Sequence, residues 1–169
     1  MAIPTVPICL RDVVVTFSDA TGTPISATAV YEEGNFSISG MQEGDKAVNY
    51  FRDRGDVYGA RYGDQEPVDV SITLHATTVY EGTEKIPLDA VNKTGAFSAG
   101  ASTWGTEDVD PWHVRIVAAV EGADRGGADQ TITIPYFRGK ATISDGSPMT
   151  IEISGQAWPK GATAAVTRA

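Results

Sequence analysis

Apolar and polar side chains alternate along much of the chain. The clearest stretch is Val68 to Val79, where Val68, Val70, Ile72 and Leu74 alternate with Asp69, Ser71, Thr73 and His75. A period of two puts one row on a core and the other toward solvent or a partner. The stretch Thr150 to Trp158 repeats the pattern, with Ile151 and Ile153 set against Thr150, Glu152, Ser154 and Gln156. Further strands are predicted over Cys9–Phe17, Ile25–Tyr31, Gly34–Ser39, His113–Val120, Thr131–Phe137 and Gly139–Ser144, all rich in β-branched or alternating residues. Turn chemistry separates them at 19–22, at 121–127 and at Asp145-Gly146-Ser147-Pro148, which reads as a tight hairpin joining the last two strands.

One helix is predicted. Pro87 suits a first helical position and Gly95 a position just past the end, with Leu88, Ala90 and Val91 as the apolar face. At about two turns it must pack on a sheet to persist. Residues 41–66 admit two readings. Ala47, Tyr50, Phe51 and Arg54 fall on one helix face behind Asp45, but Gly55, Gly59 and Gly63 favour a twisted hairpin on a long excursion, and the hairpin is preferred. Its Tyr50, Phe51, Arg52, Arg54, Tyr58, Arg61 and Tyr62 are residue types enriched at protein interfaces. The plainer alternative is that these aromatics cover the sheet. Residues 1–7, with two prolines, and 159–169, small and weakly patterned, read as frayed ends or as arms that order on a neighbour.

At 169 residues the chain suits one domain and can bury a core without staples. A hydrophobic share of 41% excludes a disordered composition. Strands joined by turns, with a single helix, predict an all-β fold: an antiparallel β-sandwich or partial barrel of two packed sheets. The single cysteine, Cys9, rules out an internal disulfide and a Cys-rich zinc site and fits a reducing compartment. The start of the chain lacks the basic and apolar regions of a signal peptide, and no apolar run approaches the ~18 residues of a membrane helix. The net charge of −9 serves solubility and argues against a nucleic-acid grip, which needs clustered Lys and Arg.

Catalytic signatures are missing. The chain has no HExxH, P-loop, GxGxxG or CxxC, and Gly34-Asn-Phe-Ser37-Ile-Ser-Gly40 only approaches a serine elbow. His75 and His113 lie in predicted strands with no partner pattern. Glu107, Asp108 and Asp110 would make at most a weak calcium site, and their spacing is not that of an EF-hand loop. No catalytic, cofactor-binding or metal-binding residue is therefore assigned.

The succession from Gly34-Asn-Phe-Ser-Ile-Ser-Gly40, through the long loop and Tyr62-Gly-Asp-Gln-Glu-Pro67, into the strand at Val68 resembles the tail tube proteins of long-tailed phages. The resemblance continues through the short helix at Ile86 to Gly95, the segment Ala101-Ser-Thr-Trp104 and the closing hairpin Gly139 to Trp158, and so covers residues 8–158 in order of elements. It implies a non-enzymatic virion protein with no cofactor, made in the bacterial cytoplasm. Sheets of neighbouring copies would join into a continuous barrel around a channel in a hexameric ring, and rings would stack into a tail tube. Its partners would be other copies of itself and the tape measure, terminator and tail-tip proteins. DNA would pass without specific binding, and no membrane is involved. The lumen of the family is generally acidic. Candidate lumen residues here are Asp69, Ser71, Thr73 and His75, or Thr150, Glu152, Ser154 and Gln156, for which an ordinary wet outer face is the plainer reading. Residues 41–66 would supply subunit or ring contacts. Two other readings stand beside this one: a β-sandwich module binding carbohydrate with calcium, using Trp104, Trp112 and Trp158 as a stacking platform, and another virion component such as a decoration or terminator protein.

Overall fold

A computed structural model describes residues 13–21, 25–29, 35–39, 46–75, 86–105, 111–120, 130–146 and 149–169. The expected arm at 1–7, Cys9, the end of the strand read to Val79, the turn at 121–127 and the calcium candidates Glu107, Asp108 and Asp110 lie outside the described residues.

The chain is all-β with one short helix. In order, the strands are β1 (Val13–Ser18), β2 (Ile25–Ala29), β3 (Asn35–Ile38), β4 (Lys46–Asp53), β5 (Asp56–Gln65) and β6 (Val68–His75). Helix α1 (Pro87–Asn92) and a 3-10 turn at Gly95–Phe97 follow, then β7 (Val114–Val120), β8 (Gln130–Ser144), β9 (Thr150–Ala157) and β10 (Thr167–Arg168). Seven strands form one antiparallel sheet in the order β2-β1-β7-β8-β9-β6-β3, with β10 added on β8, and this sheet curls strongly into a half-barrel. β4 and β5 pair only with each other.

β8 joins the two halves of the curled sheet. Sequence patterning predicts two strands here, Thr131–Phe137 and Gly139–Ser144; the chain instead runs through Arg138 as one 15-residue strand. Its first half pairs with β7 and its second half with β9, and Phe137 pairs with both, facing Val114 on one side and Ala157 on the other. Between Ile134 and Phe137, β8 carries one residue more than β7. That bulge absorbs Pro135, which has no N–H to give a ladder, and a bulged strand bends. Beyond it, Gly139 and Gly155 face each other across β8 and β9, and the Phe137 ring lies against both positions. The bend and the close approach together let the sheet turn back on itself.

The core fills the curl. Val13, Val15 and Phe17 of β1, Val114, Ile116 and Ala118 of β7, Ile134 and Phe137 of β8, Ile151 and Ile153 of β9, and Val68, Val70, Ile72 and Leu74 of β6 are all buried. Helix α1 closes the core through Ala90 and Val91, packing on β8, β9 and β1. Pro87 opens the helix, as its fixed φ and missing N–H favour. The helix ends earlier than Gly95 suggested: Lys93 takes the left-handed conformation (φ 57°, ψ 47°) and Gly95 begins the 3-10 turn. Trp112 donates its indole N–H to the Ala90 carbonyl at 3.0 Å and ties the approach to β7 to the helix.

The final eleven residues, expected as an arm, pack on the chain's own sheet. Ala165 and Val166 are fully buried, β10 pairs with β8, and Thr131 and Ala169 exchange two backbone hydrogen bonds of 2.9 Å. Small residues carry little amphipathic signal, so their docking is invisible to patterning.

Candidate functional site: a polar sheet face and an aromatic ribbon

The half of the sheet formed by β3, β6, β9 and the second half of β8 has two unlike faces. One carries the buried Val68, Val70, Ile72, Leu74, Ile151 and Ile153. Registers place the opposite row strand by strand: Ser37 faces Ser71, Ser71 faces Ser154, and Ser154 faces Lys140. A second tier runs Asp69, Gln156, Arg138, and a third runs Thr73, Glu152, Thr142. Every one of these side chains is exposed except the half-buried Thr73. Gln156 Nε2 donates to Asp69 Oδ1 at 3.1 Å, which fixes two of them across β6 and β9. Hydroxyls and amides dominate, and the surface is a shallow groove along Ser37, Asp69, Ser71, Ser154 and Gln156.

The structure thus brings six of the eight predicted lumen candidates, Asp69, Ser71, Thr73, Glu152, Ser154 and Gln156, onto one continuous surface. The two rows offered as alternatives are halves of one face. His75 and Thr150 pair at its end. On this face, among the described residues, Asp69 and Glu152 are offset by Arg138 and Lys140. Arg138 falls between the two predicted strands and Lys140 lies in Gly139–Ser144, whose faces the pattern leaves unassigned, so neither is among the candidates. The signal was present in the alternation of Arg138, Lys140 and Thr142 with Phe137, Gly139 and Ala141.

Residues 46–65 form the twisted hairpin expected of this excursion. Its turn is Arg54-Gly55, both at positive φ (50° and 97°), the geometry of a two-residue hairpin turn that favours glycine. Pairing shifts between Lys46 and Val48 and between Phe51 and Arg52 each place one extra residue on β5, which explains ten residues facing eight. Such bulges increase twist. At ~3.3 Å per residue the ribbon is about 30 Å long. It is inserted between β3 and β6, which pair with each other, so it extends from one end of the polar half-sheet. Among the described residues it has only marginal contact with other strands or α1. Tyr50, Phe51, Tyr58 and Tyr62 are 62%, 53%, 87% and 59% exposed, so these aromatics do not cover the sheet. Arg52, Arg54 and Arg61 are exposed beside them.

Other candidate chemistry falls away on geometry. His113 is fully buried, with Nδ1 2.8 Å from the Pro111 carbonyl and its ring stacked on Trp104 at 5.0 Å. Trp158 meets both Trp104 and His113 edge-on at interplanar angles of 88° and 68°. Two indoles at right angles present no flat sugar platform, and Trp112 is committed to Ala90. Lys160 completes this cluster, its ammonium 5.0 Å from the Trp104 ring and bonded to the Trp104 carbonyl. Among the described residues no three His, Cys, Asp or Glu side chains gather where they could hold a metal ion, and no helix is long and apolar enough to cross a membrane.

Comparison of the chain with protein-family models, with curated proteins and with solved structures finds no match in any of the three.

Proposed function

We propose that this chain is a non-enzymatic structural subunit of a phage tail tube, assembling through its sheet edges into stacked hexameric rings around a channel for DNA. The observation that carries the reading is the four-stranded half-sheet. It is apolar on one face and polar on the other, and it ends at β3, which no other described strand covers. An uncovered sheet edge is a row of unpaired donors and acceptors and is normally a liability. Joining copies head to tail in a closed ring removes it. Four strands from each copy of a hexamer exceed the ~16–18 that already leave an aqueous channel. The polar row would then line the lumen. Its two carboxylates and two cations leave no net charge to grip the DNA backbone, whose binding depends on clustered cations. The ribbon would reach a neighbouring copy or ring with its tyrosines and arginines. The tape measure, terminator and tail-tip proteins would be its other partners, in the virion tail.

Negative-stain microscopy and sedimentation of the purified full chain over a concentration series test this reading. Rings or tubes of uniform bore are expected. Monomers persisting at high concentration, with both termini intact, would overturn it. A terminator or decoration protein would share the polymer logic, and copy number in a purified particle separates these, since a tube needs many rings.

A further inference from the structure

Beyond Phe137, one edge of β8 pairs with β9 while β7 has ended, so the other edge faces out of the sheet. At Ala141 a side chain fills that edge. Asn92, the last residue of α1, accepts the Ala141 N–H on Oδ1 at 3.0 Å and donates Nδ2 to the Ala141 carbonyl at 2.9 Å. A carboxamide has the donor and acceptor of a peptide group, and this pair of bonds is what a residue of an adjoining antiparallel strand would make. Asn92 is itself exposed.

We propose that Asn92 is a placeholder for a strand of a second copy: the outer edge of β8 over Gly139–Ser144 receives the outer edge of a neighbour's β3, and Asn92 occupies that edge until the neighbour displaces it. The inference rests on the polymer reading and adds which edges meet and what guards one of them. Several observations select β3. It is the opposite border of the same four strands and pairs with β6 alone among the described strands. Ser39 N–H donates to the Asp69 carbonyl at 3.0 Å, so alternation turns the backbone groups of Phe36 and Ile38 outward. Strand direction alternates across β8, β9, β6 and β3, so β3 runs opposite to β8. Rotation about a ring axis along the strands preserves direction, and a neighbour's β3 therefore meets β8 antiparallel. The same rotation preserves facing, so the polar row continues from Lys140 to the neighbour's Ser37. Charge agrees: β8 brings Arg138 and Lys140 to the junction, and Asp69 stands behind β3 on the other side. β2 borders the other half of the sheet, and joining it to β8 would not continue the polar face. Displacing Asn92 exchanges two hydrogen bonds for two and releases a side chain that water can solvate, so the guard delays pairing without forbidding it.

The test uses the full chain in sedimentation velocity and microscopy, comparing wild type with Asn92→Ala and Ile143→Pro. Asn92→Ala frees the edge and should lower the concentration at which rings form by about tenfold, the effect of losing about one net hydrogen bond's worth of competition. Ile143 shares the outward phase of Ala141 and is 36% exposed; proline there removes an outward N–H and leaves the β9 ladder intact. This variant should melt cooperatively and form no rings. Amide exchange on the wild type gives a readout independent of either variant's folding: Phe36, Ile38, Ala141 and Ile143 should slow on assembly. An unchanged or raised threshold for Asn92→Ala, with wild type still assembling, makes Asn92 a structural tie only and overturns the inference while the polymer reading stands. Equal exchange of those four amides in free and assembled protein puts the junction elsewhere and also overturns it. Failure of the wild type to assemble at all removes the polymer reading itself.

Discussion

Replacing Gly155 by alanine tests whether the curl of the sheet depends on the close approach of β8 and β9. A Cβ at this position would collide with the Arg138 carbonyl oxygen and the Gly139 Cα, and would stand 2.8 Å from Phe137 Cζ. Two of these three neighbours are backbone, so no side chain can swing aside to relieve them, and Phe137 is fully buried. Overpacking of this kind costs about 1–3 kcal/mol, and backbone obstruction places it at the upper end, near ~3 kcal/mol. The reduced freedom of alanine in the unfolded chain returns about 0.4–1 kcal/mol. The net loss is about 2 kcal/mol, a large part of the ~5–15 kcal/mol that holds a domain together. For a domain of this size that corresponds to a fall in Tm of about 4–8 °C. Urea unfolding followed by circular dichroism, with calorimetry beside it, measures both. Gly59→Ala in the ribbon is the control: nothing lies within 4 Å of its added Cβ, and its stability should match the parent or slightly exceed it. If Gly155→Ala unfolds within ~0.5 kcal/mol of the parent, the two strands do not need this contact and the account of the curl is wrong.

Three further outcomes follow from the same structure. Truncating Val166 to alanine removes fully buried apolar surface under the C-terminal segment and should cost about 2 kcal/mol in urea titration, whereas an arm free of its own domain would show no change. Tyr50→Ser combined with Tyr58→Ser should leave the subunit's unfolding free energy within ~1 kcal/mol of the parent, because both side chains are exposed, yet abolish tubes under the microscope. Asp69→Lys with Glu152→Lys would leave the polar face wholly cationic; tubes of this variant should retain DNA in a filter assay at low salt and release it as salt rises, while parent tubes pass it.

Where one row was uniformly apolar, the sequence was readable: the alternation of Val68 to Leu74 and of Ile151 and Ile153 identified β6, β9 and the side chains on their outer face. It was not readable where a strand breaks its own rules for a local reason. The period of two does not show that Thr131–Phe137 and Gly139–Ser144 are one strand, because the bulge beside β7 around Pro135 shifts the alternation midway. His113 looked like one more polar position of a strand, and its burial depends on Trp104 and Trp158, which are distant in sequence and unpredictable from period alone. The neutral balance of the polar face could not come from a net charge of −9, which sums side chains without saying which share a surface. The placement of Asn92 on Ala141 spans 49 residues and has no local signature.

The insertion of the β4–β5 ribbon between two strands that already pair makes its length a separable variable. Deleting two residues from each arm keeps every remaining side chain on its original face, because the pleat repeats every two residues, and shortens the reach by about 6.6 Å. No residue of the ribbon belongs to the described buried core. A family of chains differing only in this span could therefore set the axial or lateral spacing of an assembly in steps of one pleat, leaving the domain that carries them unaltered.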